Sequence, residues 1–363
     1  LANVSASQFG YITTGHLIER TTRTMYTMQQ MERYRGHFYN WYDTQLLNPL
    51  LPKYISTVDS GNLAGYLLVL RQGLMAIPNQ KILDNKYFTG LLDTLFVLTD
   101  TLNDKDKGLL RQLHIDLESA IHAEMGAAII HEHVYNLLNS LNEIGHKLDN
   151  DLQTDTGWWL QMFKLQLLQL QTEIKMLMPW VLMNNSPFAF DTFNPVDGNS
   201  TLMELLRTAK DLLVEVHNLQ AAGQGLTENE WLGHFQPALQ ETIHIATERM
   251  NAVESLARQC DELADMEWDF LYDSSTHLFS IGYNVQEHHL DSGYYDLLAS
   301  EARFGIFVGI AQGKLPEESW FALGRLLTNV EGNTVLLSWS GSMFEYLMPI
   351  LVMPTYENTL LQQ

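Results

Sequence analysis

Apolar side chains recur at helical spacing along most of this chain, most clearly in the middle. Residues 158–178 place Leu160, Phe163, Leu167, Leu170 and Ile174 at steps of three and four, which predicts a helix with one buried stripe. Residues 109–148, 202–219 and 228–270 carry the same pattern, and Pro/Gly/Asn clusters at 184–200 and 223–227 interrupt it. Long helices with short connections predict a bundle over 79–270. The two ends read differently. Residues 12–34 predict a helix carrying Leu17, Met25, Met28 and Met31, and 60–74 a second helix with Asp59 or Ser60 as N-cap. Beyond 270 the pattern predicts short strands at 278–285 and 335–340. It also predicts a helix at 294–310 with Asp291 as N-cap, and a short apolar helix at 343–352. The loops at both ends are rich in Trp, Tyr, Asn, Ser and Gly, and functional residues concentrate in such loops.

Composition narrows the choice of partner. Of 363 residues 46% are hydrophobic, as in a globular protein. The formal net charge of −22 argues against nucleic acid and against anionic lipid, both of which need clustered Lys and Arg. A neutral glycan is indifferent to it. The single cysteine, Cys260, allows no intrachain disulfide. It sits within a helical pattern with no activating neighbour. The densest apolar stretch, 176–183, is short and contains Pro179, so no membrane span is expected. The chain starts at Leu1 rather than Met, and is expected to be part of a longer polypeptide.

Candidate chemistry lies in the loops. Ser338-Trp339-Ser340-Gly341-Ser342-Met343-Phe344-Glu345-Tyr346 sets Glu345 in an aromatic, apolar stretch near a helix start. Burial there would raise its pKa, as a general acid requires; the alternative is a structural Glu bonded to neighbouring amides. Trp41 and Asp43 combine a ring for a sugar's C–H face with a carboxylate for its hydroxyls. Asp59 is either a helix cap or a substrate contact. Tyr283, Asp291 and Tyr294 belong to a stretch dense in hydroxyl-binding types. His114, Glu118 and His122 share a helical face, but without the H-E-x-x-H order a solvated face is the expectation. His131 and His133 point apart. Gly223-Gln224-Gly225 lacks the Lys of a phosphate loop. No metal and no cofactor are expected.

Four strings carry a resemblance. They are Glu32-Arg33-Tyr34-Arg35-Gly36-His37-Phe38-Tyr39-Asn40-Trp41-Tyr42-Asp43-Thr44, Ser56-Thr57-Val58-Asp59-Ser60-Gly61-Asn62-Leu63-Ala64-Gly65, the pair 280–285 and 294–303, and 338–349. Together they resemble the glucoamylase-like middle domain of cyclic β-1,2-glucan synthases. The resemblance implies an all-α fold: a partial (α/α)6 toroid with a long helical-bundle insertion and a few short strands. Residues 1–78 would begin the barrel, 79–270 would be the insertion, and 271–363 would continue the barrel without closing it. The implied activity is retaining transglycosylation that cyclises linear β-1,2-glucan. The implied place is the cytoplasmic side of a bacterial inner membrane, in a larger membrane protein. Glu345 carries over as a cleft residue, and Asp43, Asp59, Tyr283 and Asp291 as cleft liners. The second catalytic carboxylate is expected beyond Gln363. A hydrolase of the same fold and a non-catalytic glycan-binding or scaffold module are the alternatives. The partners implied are a β-glucan and the remainder of the polypeptide, with self-association of an unclosed toroid through its uncovered apolar faces.

Overall fold

The computed structural model describes residues 1–123, 125–148, 151–183, 186–188 and 200–362, so most of the loop expected at 184–200 lies outside the described residues. In chain order the elements are α1 (Ala2–Gln8), α2 (Thr14–Gln30), β1 (Arg33–Tyr34), β2 (His37–Phe38), β3 (Tyr54–Ser56), α3 (Thr57–Ala76), α4 (Lys86–Asp100), α5 (Arg111–His122), α6 (Ala127–Gly145), α7 (Asp155–Leu177), α8 (Leu202–Ala222) and α9 (Leu226–Ala264). Then come β4 (Tyr272–Asp273), β5 (Leu278–Phe279), β6 (Gly282–Asn284), β7 (His289–Leu290), α10 (Ala302–Ala311), α11 (Glu318–Ala322), β8 (Leu327–Val330), β9 (Asn333–Leu336) and α12 (Met343–Leu347). The chain is mostly helical with a few short strands. No described helix is long and apolar enough to cross a membrane.

Two compact units divide the chain. One comprises residues 2–22 and 74–255, the other residue 1, 23–73 and 256–363. The first, the helical unit, buries the stripe foreseen on α7: Leu160, Phe163, Leu167, Leu170 and Ile174 are all 7% exposed or less. They pack with Leu91, Leu95 and Leu98 of α4, Val134 and Leu137 of α6, and Leu205 of α8 in one core. Each such side chain contributes about 1.5–3 kcal/mol by burial. Caps fix the helix ends. Thr154 accepts from the amide of Gly157 at 3.1 Å, and Thr201 forms a reciprocal box with Glu204 before α8. Gly223 closes α8 in the left-handed conformation, which is the structural use of that Gly-Gln-Gly string. The pattern at 109–148 is two helices, not one. Asn85 Nδ2 donates to Ile121 O in the last turn of α5 at 2.8 Å and to Ala123 O just past its end at 3.3 Å, which marks the end of α5. His114 bonds Thr99 Oγ1 at 3.0 Å and packs on the ring of Phe96.

The second unit, the mixed unit, joins short antiparallel strands to α10. One sheet has the order β3-β6-β7, with Ile55 opposite Tyr283 and Tyr283 opposite Leu290. β1 with β2, β4 with β5, and β8 with β9 form two-stranded ribbons. Several sequence expectations are corrected here. Residues 33–34 leave the expected first helix to pair as β1. Residues 294–301 are not helical. Tyr294 bridges Ser280, Tyr295 N bonds Phe279 O, and Asp296 O accepts from Gly324, so that segment's backbone groups are taken by neighbours and α10 starts only at Ala302. Asp291 therefore caps no helix. The expected helix at 228–270 ends at Ala264, and the expected strand at 335–340 is the hairpin strand 333–336.

Candidate active site

β3 runs straight into α3, and Thr57 Oγ1 ties the junction to Ser280 O at 2.7 Å. Asp59 is thus not the N-cap but a first-turn residue of α3, where unpaired helix amides favour a carboxylate. Its own amide bonds Ser56 Oγ at 3.3 Å. Two residues on, Gly61 meets α10 with almost no space: a Cβ there would lie 2.6 Å from Gly305 Cα. This close crossing sets Asn62 against Glu301, with Nδ2 donating to Oε2 at 3.0 Å. Asn62 Oδ1 is buried without a protein partner.

Glu301 precedes the first residue of α10 and does not cap it with its side chain. Burial raises its pKa; the Asn62 bond opposes this, and the charges of Asp59 and Glu345 push it further up. Tyr295 is raised to about 12 by burial and by Glu301, Asp59 and Asp291. Tyr66 is raised by burial and by Glu301. Glu301 thus stands in the fields of Asp59 and Glu345, and Tyr295 in those of Glu301, Asp59 and Asp291. Tyr54 links in two more groups. Its hydroxyl donates to Asp291 Oδ2, and its ring lies 6.5 Å from that of Trp41, which is 48% exposed.

Glu345 behaves opposite to expectation. Burial would raise its pKa, but hydrogen bonds from the hydroxyls and amides of Ser340 and Ser342 outweigh it and hold the group down at about 2. Ser340 Oγ donates at 2.5 Å, Ser342 Oγ at 2.9 Å, Ser342 N at 3.1 Å and Ser338 Oγ at 3.2 Å. Ser342 and Glu345 form the capping box of α12, so the structural role weighed for Glu345 is present. Its backbone carbonyl in turn accepts from the buried Arg303 at 3.0 Å.

The remaining sequence candidates have other bonds. Asp43 accepts from the amides of Leu46 and Gln45 at 2.7 and 2.9 Å, which lowers its pKa and shapes a turn. Tyr294 donates to Asp273 Oδ2 at 2.7 Å. Tyr283 stacks on Tyr34 and meets Phe270 edge-on. Trp339 is 63% exposed beside the Glu345 loop. Glu301, Asn62, Tyr54 and Tyr295 were missed as site residues. The signal within reach was Asn62 three positions after Asp59, on the same helix face. Cys260 is buried, and burial pushes its thiol up to about 11, away from the thiolate that a nucleophile needs. A cavity of about 520 Å³ in the same unit, lined by Phe307, Trp320, Phe321 and Tyr356 among others, includes none of these acids.

Chemically, two neighbouring carboxylates are driven apart, Glu301 toward the protonated form and Glu345 toward the ionised one. That division suits acid–base work on a polar bond. No family model matches the chain. The chain is, however, 30% identical over 377 aligned positions to the cyclic beta-(1,2)-glucan synthase NdvB of Rhizobium meliloti (strain 1021). That alignment takes in the whole of this chain and 11% of the length of NdvB, and by it the chain is related to the cyclic β-1,2-glucan synthases.

Proposed function

We propose that this chain acts on β-1,2-glucan by retaining transglycosylation, closing a linear chain into a ring, as part of a larger cyclic β-1,2-glucan synthase. The observation that carries the reading is the split between Glu301 and Glu345. Glu301 donates a proton to the glycosidic oxygen as the bond to the leaving sugar breaks. An ionised carboxylate on the other face bonds to the anomeric carbon as that oxygen leaves; a hydroxyl of the same glucan then displaces the carboxylate, forming the new glycosidic bond and giving its proton back to Glu301. Transfer wins over hydrolysis because the tethered hydroxyl has a far higher effective concentration than a competing external acceptor. Trp41 and Trp339 supply stacking faces, and Asp59 and Asp291 accept sugar hydroxyls.

The fold that goes with this reading is a partial (α/α)6 toroid in which 79–270 is an insertion. The larger synthase sits at the cytoplasmic side of a bacterial inner membrane. The mixed unit exposes Phe321, Met343, Leu351 and Tyr356 at 68% or more, an apolar surface for the remainder of the polypeptide to cover. The test is incubation of linear β-1,2-glucan with the chain and with longer polypeptides that carry it. Ring products without reducing ends are expected. A rise in reducing ends instead would replace transfer by hydrolysis. Tight binding with no turnover, unchanged in Glu301→Gln, would reduce the site to a glycan-binding module.

A further inference from the structure

The helical unit holds a second groove that the proposed chemistry does not use. It has a volume of about 420 Å³ and lies along α7, with Trp158, Trp159, Gln166 and Gln169 on one wall and Asp93 of α4 and Tyr11 on the other. That volume falls in the range of about 300–1,000 Å³ typical of small-ligand sites. Trp158, Leu165 and Gln169 are spaced to share one face of α7, and Trp158 is 45% exposed despite its large apolar ring. Trp159 meets it edge-on at 4.6 Å, which fixes the plane of the exposed indole. A helix that only packed would turn such rings inward.

The polar groups say what the rings await. Tyr11 donates to Asp93 Oδ2 at 3.1 Å, so the exposed carboxylate is held at the groove. Gln166 spends its Nε2 on Tyr11 O at 3.4 Å, while its Oε1 is buried with no hydrogen-bond partner. An unmet acceptor of this kind is costly. A small rotation of the amide would give it to a ligand hydroxyl. Arg20 lines the same groove and disfavours a cation, while the chain's charge of −22 disfavours an anion. A ring platform flanked by acceptors for hydroxyls fits a neutral sugar chain, with Ile12, Val97, Met162 and Leu165 completing an apolar floor.

We infer that this groove is a second glycan site, separate from the acid cluster of the mixed unit, which binds two or three residues of a gluco-oligosaccharide by stacking on Trp158. The sugar class rests on the proposed function; the location does not. The probe is a linear β-1,2-linked gluco-oligosaccharide of defined length, titrated calorimetrically into the full chain beside β-1,3- and β-1,4-linked ones. Two sites per chain are expected. Trp158→Ala and, independently, Asp93→Ala should weaken one of them by about tenfold or more and leave the other intact, and Trp41→Ala should do the reverse. If both groove variants, folded by circular dichroism, bind as the wild type does, the inference is wrong. A single site lost with Trp41→Ala alone would overturn it and leave the proposed function standing. A single site lost only with Trp158→Ala would support the groove and count against the mixed unit. Binding to none of the sugars, or a Trp158→Ala variant that changes only the sedimentation coefficient, would end it, the latter in favour of a protein interface.

Discussion

The guanidinium of Arg303 donates to the backbone carbonyl of Glu345 at 3.0 Å, and its second nitrogen to Tyr346 O at 2.7 Å. The same side chain reaches Leu298 O and Ser300 O at 3.4 and 3.3 Å. It is 2% exposed, and burial lowers its pKa to about 10. A buried cation thus ties the Glu345 helix to the turn that leads into α10, where Glu301 stands. The two carboxylates of the candidate site hang from one fork of hydrogen bonds.

Arg303→Met should therefore strip donors from buried carbonyls, at about 1–3 kcal/mol for each that finds no substitute. The melting temperature should drop by several degrees, and amides of residues 338–348 should exchange faster. Arg303→Lys should fall between, because one ammonium cannot reproduce the planar fork. Exchange in that segment equal to wild type in Arg303→Met would remove Arg303 from the support of Glu345.

Glu301 and Glu345 should separate in their pH behaviour. The Glu301 pKa is raised in the folded state, so the native protein holds a proton that the unfolded chain has released. Stability contributed by that proton is present at low pH and is lost as pH rises through the folded pKa. Glu301→Gln keeps an acceptor for Asn62 and removes the charge. It should melt higher than wild type at neutral pH while losing about 10²- to 10⁴-fold in turnover and the alkaline limb of the rate profile. Glu345 is ionised down to about pH 2 and should contribute no limb near neutrality. A Glu301→Gln enzyme with wild-type turnover would clear Glu301 of the acid role.

Much of the helical unit could be read from its sequence, because a buried stripe on one helix has a local period. Leu160 through Ile174 show it without help from the rest of the fold. The capping box at Ser342 and Glu345 was also within reach, since serine three residues before glutamate is its ordinary form. The setting of Glu301 was not, because its partner Asn62 lies 239 positions away and nothing near Glu301 announces the contact. Asp291 misled for a related reason. An aspartate ahead of Tyr294 and Tyr295 reads as a helix cap until strand pairing at Ser280 and Phe279 takes those backbone groups.

The crossing of α3 and α10 tolerates no side chain at Gly61, because the nearest atom is the backbone Cα of Gly305 rather than a movable side-chain tip. Gly61→Ala should cost about 1–3 kcal/mol as overpacking, and activity should fall with it, since α3 carries Asp59 and Asn62. Gly233 is the control. It lies inside α9 and its Cβ would meet nothing within 4 Å, so Gly233→Ala should stabilise by about 0.5–1 kcal/mol. Chemical denaturation of the two variants checks both signs at once. Equal stability for Gly61→Ala and wild type would mean the helices can part without penalty.

His37 makes stability depend on pH in a definite direction. Its ring is fully buried, edge-on to Trp268 and Phe270 at 4.9 and 5.3 Å. One nitrogen lies 2.7 Å from Glu267 O and must carry the proton, since a carbonyl can only accept; the other, 2.9 Å from Ser60 Oγ, accepts from that hydroxyl. A second proton would have no place. Burial accordingly lowers the pKa from 6.5 to about 4, against the pull of the Glu267 carbonyl. Between those values the unfolded chain binds a proton that the native one refuses. Stability is complete above pH 6.5 and declines as pH falls toward 4, by on the order of 3 kcal/mol from this group. Urea midpoints at pH 7.5, 6, 5 and 4.5 should trace that decline in the wild type, and His37→Gln, which cannot titrate, should follow a shallower line. Parallel lines for the two proteins would show that His37 takes up its proton as readily folded as unfolded.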